Sequence, residues 1–239
     1  MLIQQMVFPV IALLAVGGYI SVYTQKLTIP AAITGIICGT IIYLGAGYEG
    51  LALLAAFFLC GTLSTIWGRK KKYQFDKPGD SVQRKSGQVL ANAGTATLLA
   101  FLAIILPEYI TVLRLMVAGS FASATADTLS SELGVLYGKR FYNCLSWKED
   151  SKGADGVISL EGTLIGIAGA GLISLIYGLF TGVDSRIFIL IFAGFAGNFS
   201  DSVMGASLER RNFLSNDGVN FFSTLFAAAI TLLLISVFW

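Results

Sequence analysis

Carboxylates stand in this chain where a membrane interior should be dry. Asp127 lies in the run Ser123-Ala-Thr-Ala-Asp127-Thr-Leu-Ser-Ser-Glu132 and Asp201 in Asn198-Phe-Ser-Asp201-Ser, each before a predicted helix exit rather than beyond it. Ionisable groups inside apolar helices face a partner or a wet cavity. Two further helix ends add amides, in Gln88-Val-Leu-Ala-Asn92 and Asn216-Asp217-Gly-Val-Asn220. Taken singly, such residues read as helix caps, a role that suits Asp, Asn and Ser. Gathered at one depth on four helix ends, they read as one polar site. Paired carboxylates suit a hard, oxygen-seeking cation such as Mg²⁺, especially when substrate phosphates complete its shell, so Asp127 and Asp201 are the expected metal ligands. The chain has no histidine, which removes the commonest general base and the commonest zinc ligand together. Cys38 and Cys60 fall in apolar runs and Cys144 in a polar loop, without CxxC spacing. Neither a disulfide framework nor a zinc site is expected.

The loop expected over residues 128–159 brings cations and glycines to the same end. It reads Gly134-Val-Leu-Tyr-Gly138-Lys139-Arg140, then Lys148, then Lys152-Gly153-Ala-Asp155-Gly156, and runs into Ser159-Leu-Glu161-Gly162-Thr163. Glycines let backbone N–H groups approach a phosphate, and the helix that follows turns its positive end to an anion. Lys139, Arg140 and Lys152 would add charge-assisted contacts. The P-loop spacing is absent, so Gly153 to Gly156 reads equally as a flexible turn. Arg69 to Lys72 reads first as a stop-transfer anchor on anionic lipid heads. Arg84 and Lys85, just before Gln88, are in reach of an anionic headgroup. The segments Phe121-Ala-Ser-Ala-Thr-Ala-Asp127-Thr-Leu and Phe195-Ala-Gly-Asn-Phe-Ser-Asp201-Ser-Val align on Phe, Ala, Asp, a hydroxyl and an aliphatic residue. That pattern is compatible with a degenerate duplication bringing two carboxylates together.

The elements that must position these groups are membrane helices. Of 239 residues, 55% are hydrophobic and 13% charged, and mean hydropathy is +0.76, well away from soluble domains. Net charge is +2, which gives no sign of a nucleic-acid partner. Apolar runs at about 2–23, 30–47, 50–67, 88–106, 109–127, 160–181, 186–204 and 218–238 are each long enough to cross a bilayer. The expectation is an all-α, polytopic transmembrane bundle of about eight spans in a single domain, residues 1–239, with a lipid bilayer around it. The first run lacks a basic n-region and reads as a retained helix. With eight spans, loops at about 24–29, 68–87, 128–159 and 205–217 share one side and hold 14 of the 16 Lys and Arg residues, leaving Arg114 and Arg186 near the other. The positive-inside rule puts those loops and the polar site at the cytoplasmic face and both termini outside, in the cell membrane if the source is prokaryotic. Nothing in the residues speaks to oligomeric state.

Together, Gln88-Val-Leu-Ala-Asn92, Ala126-Asp-Thr-Leu-Ser-Ser-Glu-Leu-Gly134, Asp155-Gly-Val-Ile-Ser-Leu-Glu-Gly-Thr163, Asp201-Ser-Val-Met-Gly-Ala206 and Asn216-Asp-Gly-Val-Asn220 resemble the integral membrane family that includes the plant phytyl-phosphate kinase of the tocopherol pathway. The resemblance runs from about residue 80 to the end. A more distant likeness joins Asp127, Gly138-Lys139, Lys148 and Glu161-Gly162-Thr163 to CTP-using polyprenol kinases and membrane cytidylyltransferases. It implies a nucleoside triphosphate donor, with CTP favoured, and an isoprenoid alcohol or monophosphate acceptor. On that reading Asp127 and Asp201 hold Mg²⁺ and Glu132 is a ligand or a partner behind it. Lys139, Arg140, Lys148 and Lys152 meet the donor with the Gly153–Gly156 backbone, Asn92, Asn216 and Asn220 orient phosphates or base, and Arg84 meets the headgroup. Glu161, like Asp155, either binds a second metal or caps the sixth span. A cytidylyltransferase making a CDP-lipid, and a transporter or scramblase of lipid phosphates, remain alternatives.

Overall fold

The computed structural model describes residues 2–72 and 83–238, with backbone alone for residues 2–6. Lys77, counted above among the loop cations, lies outside the described residues. Helices are α1 (Leu2–Tyr23), α2 (Ile29–Ile66), α3 (Arg69–Lys72), α4 (Ser86–Ile105), α5 (Ile110–Tyr137), α6 (Leu160–Thr181), α7 (Arg186–Met204) and α8 (Asn216–Phe238). Each of the eight expected apolar segments is helical. Among the described residues, six helices are long and apolar enough to cross a membrane, with Val7–Tyr23 a shorter apolar helix.

The second and third expected spans form one 38-residue element, α2, broken at Gly47 (φ 65°, ψ −156°). Only glycine reaches that backbone region without strain. The break is a reversal. A Cβ on Gly39 would lie 3.3 Å from the Leu54 side chain, whereas a straight helix would hold residues fifteen apart at about 22 Å. Residues 29–46 and 48–66 are therefore two antiparallel arms. At their start, Thr28 caps the helix by accepting the Ala31 N–H at 3.3 Å, with Pro30 in the first turn, a favoured place for proline.

α5 is the central helix. Its residues 117 to 126 are buried without interruption, because it packs against α2, α4, α6, α7 and α8. Small residues permit this: a Cβ on Gly194 would meet Ala122 at 3.0 Å, and one on Gly197 would meet Ser123 Oγ at 2.2 Å. Such bare α-carbons bring membrane helices close. The helix also continues ten residues past the exit expected at 127, since Leu129, Leu133 and Leu136 keep the apolar periodicity until Gly138. Residues 128–137, expected as loop, are helical wall.

The remaining strap, residues 138–159, holds a two-stranded antiparallel pair, β1 (Tyr142–Asn143) with β2 (Val157–Ile158). It docks on the end of α7, which continues as a π-helical turn over Gly205–Glu209. Cys144 Sγ donates to the Ser202 carbonyl at 3.2 Å, Arg210 Nε donates to the Asp155 carbonyl at 2.6 Å, and Arg210 pairs with Asp150 at 2.8 Å. At the opposite end of the bundle, Glu49 is buried just past the Gly47 reversal. Arg114 there donates through Nε to the Gly45 carbonyl at 3.2 Å, and Arg186 pairs with Asp184 at 2.6 Å.

Candidate active site

A cavity of about 580 Å³ opens at the cation-rich end, and seven helices, α2 to α8, and the strap contribute to it. α5 supplies Asp127, Ser130, Ser131 and Glu132; α7 and its π turn supply Asn198, Asp201, Ser202 and Glu209. The two aspartates sit at matching depth. Asp127 lies 17 residues along α5 and Asp201 15 residues along α7 from ends on the opposite side, which corresponds to about 25 and 22 Å of rise. Their carboxyl groups come within hydrogen-bonding reach of each other. Two carboxylates that close are stable only with a shared proton or a cation between them.

Hydroxyls and amides fix the pair. Ser131 Oγ donates to Asp127 Oδ1 at 3.5 Å, and Ser130 Oγ bridges the Asp127 carbonyl at 2.9 Å to Asn198 Oδ1 at 3.0 Å. Asn198 reaches this position because α6 is bare opposite it: a Cβ on Gly166 would fall 2.7 Å from its amide nitrogen. Among the described residues Asp201 Oδ2 is buried without a hydrogen-bond partner. An orphaned carboxylate oxygen beside a second carboxylate fits one divalent ion. Among the described residues no group of three or more His, Cys, Asp or Glu side chains is placed to hold a metal ion.

Glu132 is engaged elsewhere. It pairs with the Lys72 ammonium, Thr65 Oγ1 lies 2.8 Å from its other oxygen, and the Arg84 guanidinium faces it. Lys72 also donates to the Ser64 carbonyl at 2.7 Å and is buried, so it sits inside the protein rather than on lipid heads. Arg69 and Lys72 both line the cavity. Gly153 and Gly156 line it too, with positive φ of 81° and 68°. At Gly156 a Cβ would strike the Ala206 nitrogen at 2.3 Å, so glycine is required for the strap to seat.

Of the residues singled out from sequence, Asp127, Glu132, Asp201, Gly153, Gly156 and Asn216 line this cavity. Asn92 and Asn220 do not; each lies one turn deeper than a residue that does, Gln88 and Asn216. Lys139, Arg140 and Lys148 are exposed on the strap outside the lining, and the Lys152 ammonium sits 5.3 Å from the ring of Phe141, a lining residue. Glu161 accepts the Lys139 N–H at 3.3 Å in the first turn of α6, and Arg84 packs on Gly61. Sequence reasoning reads Lys72 as a lipid anchor, includes Ser130 and Asn198 only as members of polar runs, and misses Glu209. Glu209 carried a signal: Asp201, Gly205 and Glu209 recur every fourth residue, which points to one face once α7 is extended through its π turn, a feature frequent at functional sites. Nothing local distinguishes Lys72 from the cations before it.

Residues 11–228 match the family described as Integral membrane protein DUF92. An uncharacterised membrane protein of Methanocaldococcus jannaschii is 36% identical over 203 residues, covering 83% of this chain and 81% of its own. Protein PGR of Arabidopsis thaliana is 31% identical over 257 aligned positions, with 87% of this chain and 88% of its own covered. Protein VTE6, chloroplastic, of the same plant is 29% identical over 208 residues, 82% of this chain and 61% of its own. No solved structure matches the chain.

Proposed function

Because the chain belongs to the DUF92 integral membrane protein family, and because its cavity joins two carboxylates to cations at one end of a membrane bundle, we propose that it is a Mg²⁺-dependent isoprenoid-phosphate kinase. It transfers the γ-phosphoryl group of a nucleoside triphosphate, with CTP the first donor to test, to the monophosphate of an isoprenoid lipid. An acceptor oxygen forms a bond to the γ-phosphorus as the bond to the bridging β–γ oxygen breaks, giving lipid diphosphate and nucleoside diphosphate. A phosphate monoester with a second pKa near ~6 is already largely dianionic at pH 7, so the nucleophile needs no strong base. That accords with a chain lacking histidine, since phosphoryl transfer rests on positioning and charge neutralisation.

The observation that carries the reading is the closeness of Asp127 and Asp201, with an oxygen of Asp201 that has no hydrogen-bond partner among the described residues. These two side chains would hold Mg²⁺, which when bound offsets charge on the transferring phosphates. Asp127, Glu132, Asp155, Asp201 and Glu209 line the cavity against two cations, Arg69 and Lys72. Like charges ~6 Å apart repel by about 3 kcal/mol at an effective dielectric constant of ~20. A triphosphate therefore enters such a cavity with its counterion. Arg69, Lys72 and the Gly153–Gly156 backbone meet the phosphates, Lys152 and the exposed Lys139, Arg140 and Lys148 attract the donor from the mouth, and Asn198 and Asn216 orient it. The cation-rich end then faces the cytoplasm, with both termini outside.

The deciding experiment incubates purified protein with γ-labelled CTP and a prenyl monophosphate. Label in the lipid is the expected result; label in pyrophosphate would assign cytidylyl transfer instead. Asp127→Asn is expected to abolish transfer while the protein stays monodisperse in detergent, and full Mg²⁺-dependent turnover in that variant would remove Asp127 from the reaction.

A further inference from the structure

The polar part of the cavity accommodates a phosphate head, and its aromatic side, on α7, continues into a surface that accounts for a hydrocarbon tail. Phe188, Phe192, Phe195 and Phe199 are spaced four, three and four residues apart, which sets them on one stripe of a helix. The buried residues Leu190, Ala193, Gly194 and Gly197 occupy the opposite side, against the bundle. Exposure falls along the stripe from 73% at Phe188 to 53% at Phe192 and 37% at Phe199. The Phe195 and Phe199 rings stack, with centroids 6.3 Å apart and planes at 25°, and both line the cavity that holds Asp127 and Asp201. The stripe thus enters the cavity instead of passing beside it.

α6 contributes Gly162 and Thr163 to the same lining, and one turn on Gly166 lets it pack closely on Asn198 of α7. The carboxylates and the Phe195 and Phe199 rings thus line one cavity, whose aromatic side is continued along α7 by Phe192 and Phe188. We propose that this wall, Phe195 and Phe199 continued by Phe192 and Phe188, is the track for the tail of the lipid whose phosphate head occupies the cavity, and that Phe195 and Phe199 determine which tails are accepted. The proposal rests on the reading of the cavity as a lipid-phosphate site. Continuity of the wall with that cavity identifies the occupant. From Phe188 to Phe199 the helix rises about 16 Å, roughly half of a ~30 Å hydrocarbon core. A tail lying there stays at bilayer depth while its head enters the cavity that the rings line. Stacked rings give it broad dispersion contact.

Full-length protein in nanodiscs, carrying p-benzoylphenylalanine at position 195, 199, 136 or 179, is irradiated with tritiated geranylgeranyl monophosphate and no nucleotide. Position 179, a leucine 80% exposed on α6 away from the cavity, reports ordinary lipid contact. Position 136 reports a second groove, formed by Trp67, Arg69, Lys70 and Tyr137. Expected is labelling at 195 and 199 about ten-fold above 179 and abolished by excess unlabelled prenyl phosphate. Equal, uncompeted labelling at 195, 199 and 179 would make the stripe an ordinary lipid-facing wall, and competed labelling at 136 alone would move the tail to the other groove; either overturns the proposal. Because no phosphoryl transfer is read, labelling at 195 and 199 without kinase activity counts against the kinase assignment only, and kinase activity without such labelling counts against the track only. As a second measurement, Phe199→Ala is expected to raise KM for a twenty-carbon acceptor about ten-fold more than for a five-carbon one; equal shifts would deny Phe199 a role in tail selection.

Discussion

Lys72 is the residue whose removal tests the cavity's architecture most sharply. Its side chain is 9% exposed and Glu132's is 28%, so the pair is neither fully buried nor on the surface. Removing one partner of a buried pair costs roughly 3–5 kcal/mol, because the other charge is left stranded; an exposed pair is worth about 0–1 kcal/mol. Lys72→Met keeps the aliphatic stem and deletes the ammonium. Glu132 retains its contact with Thr65 and the field of Arg84, and solvent reaches part of it, so the expected loss is about 2 kcal/mol, between those limits. Glu132→Gln should cost a similar amount by stranding Lys72 instead. The double variant relieves both stranded charges, and its loss should fall short of the sum by about 1–2 kcal/mol. Unfolding by SDS in mixed micelles, followed by circular dichroism for the four proteins, completes the cycle. Losses that add to within about 0.5 kcal/mol would mean that Lys72 and Glu132 do not sense each other, and the clasp between α3 and α5 would have to be abandoned.

Two more substitutions probe the scaffold. A Cβ on Gly45 would fall 1.9 Å from the Ala100 carbonyl oxygen, whereas one on Gly17 meets nothing within 4 Å. Gly45→Val is therefore expected to destabilise by at least about 1–3 kcal/mol, and Gly17→Ala to be neutral or stabilising by roughly 0.5–1 kcal/mol, read as survival of the monodisperse peak after heating. In the strap, the Ser151 N–H and the Arg210 guanidinium hold the Asp150 carboxyl below its usual range. A depressed pKa in the folded state contributes stability above the unfolded value, near ~3.9, and that stability is lost as pH falls through the folded value. Asp150→Asn should therefore accelerate amide exchange at Cys144 and Val157 at pH 7, with a difference that fades as pH falls through the depressed folded value; unchanged exchange at pH 7 would show that Arg210 does not hold the strap through Asp150.

The helices were legible because apolar runs bounded by charge have a single physical reading in a chain this hydrophobic. Convergence of Asp127 and Asp201 was legible for a related reason: helix geometry fixes depth, so polar residues at matching distances along two neighbouring helices meet or face lipid, and lipid excludes them. How far a cavity reaches along one helix face is less constrained. Gln88 and Asn92, or Asn216 and Asn220, lie a turn apart on the same face, and only packing decides that the first of each pair lines the cavity. Lys72 was opaque because four successive cations, Arg69 to Lys72, are equivalent in sequence, and burial by the neighbouring end of α5 selects one. The exit of α5 lies ten residues beyond the one that polarity at Asp127 suggests. The apolar periodicity of Leu129, Leu133 and Leu136 shows that polarity there marks a cavity instead.

Coupling between strap and carboxylates follows from how α7 ends. Asp201 is the last acidic residue before the π turn, Ser202 one residue on accepts from Cys144, and Gly156 seats against Ala206. Arg210, directly after that turn, grips both the Asp155 carbonyl and the Asp150 carboxylate. The strap therefore cannot leave the cavity mouth without releasing contacts to the same stretch of helix that aims Asp201 and Glu209 inward. Moving the Gly153–Gly156 backbone and moving Asp201 are linked displacements. Access for a nucleotide at the strap and the geometry offered to its phosphates are consequently set together, through a segment of ten residues, Asp201 to Arg210.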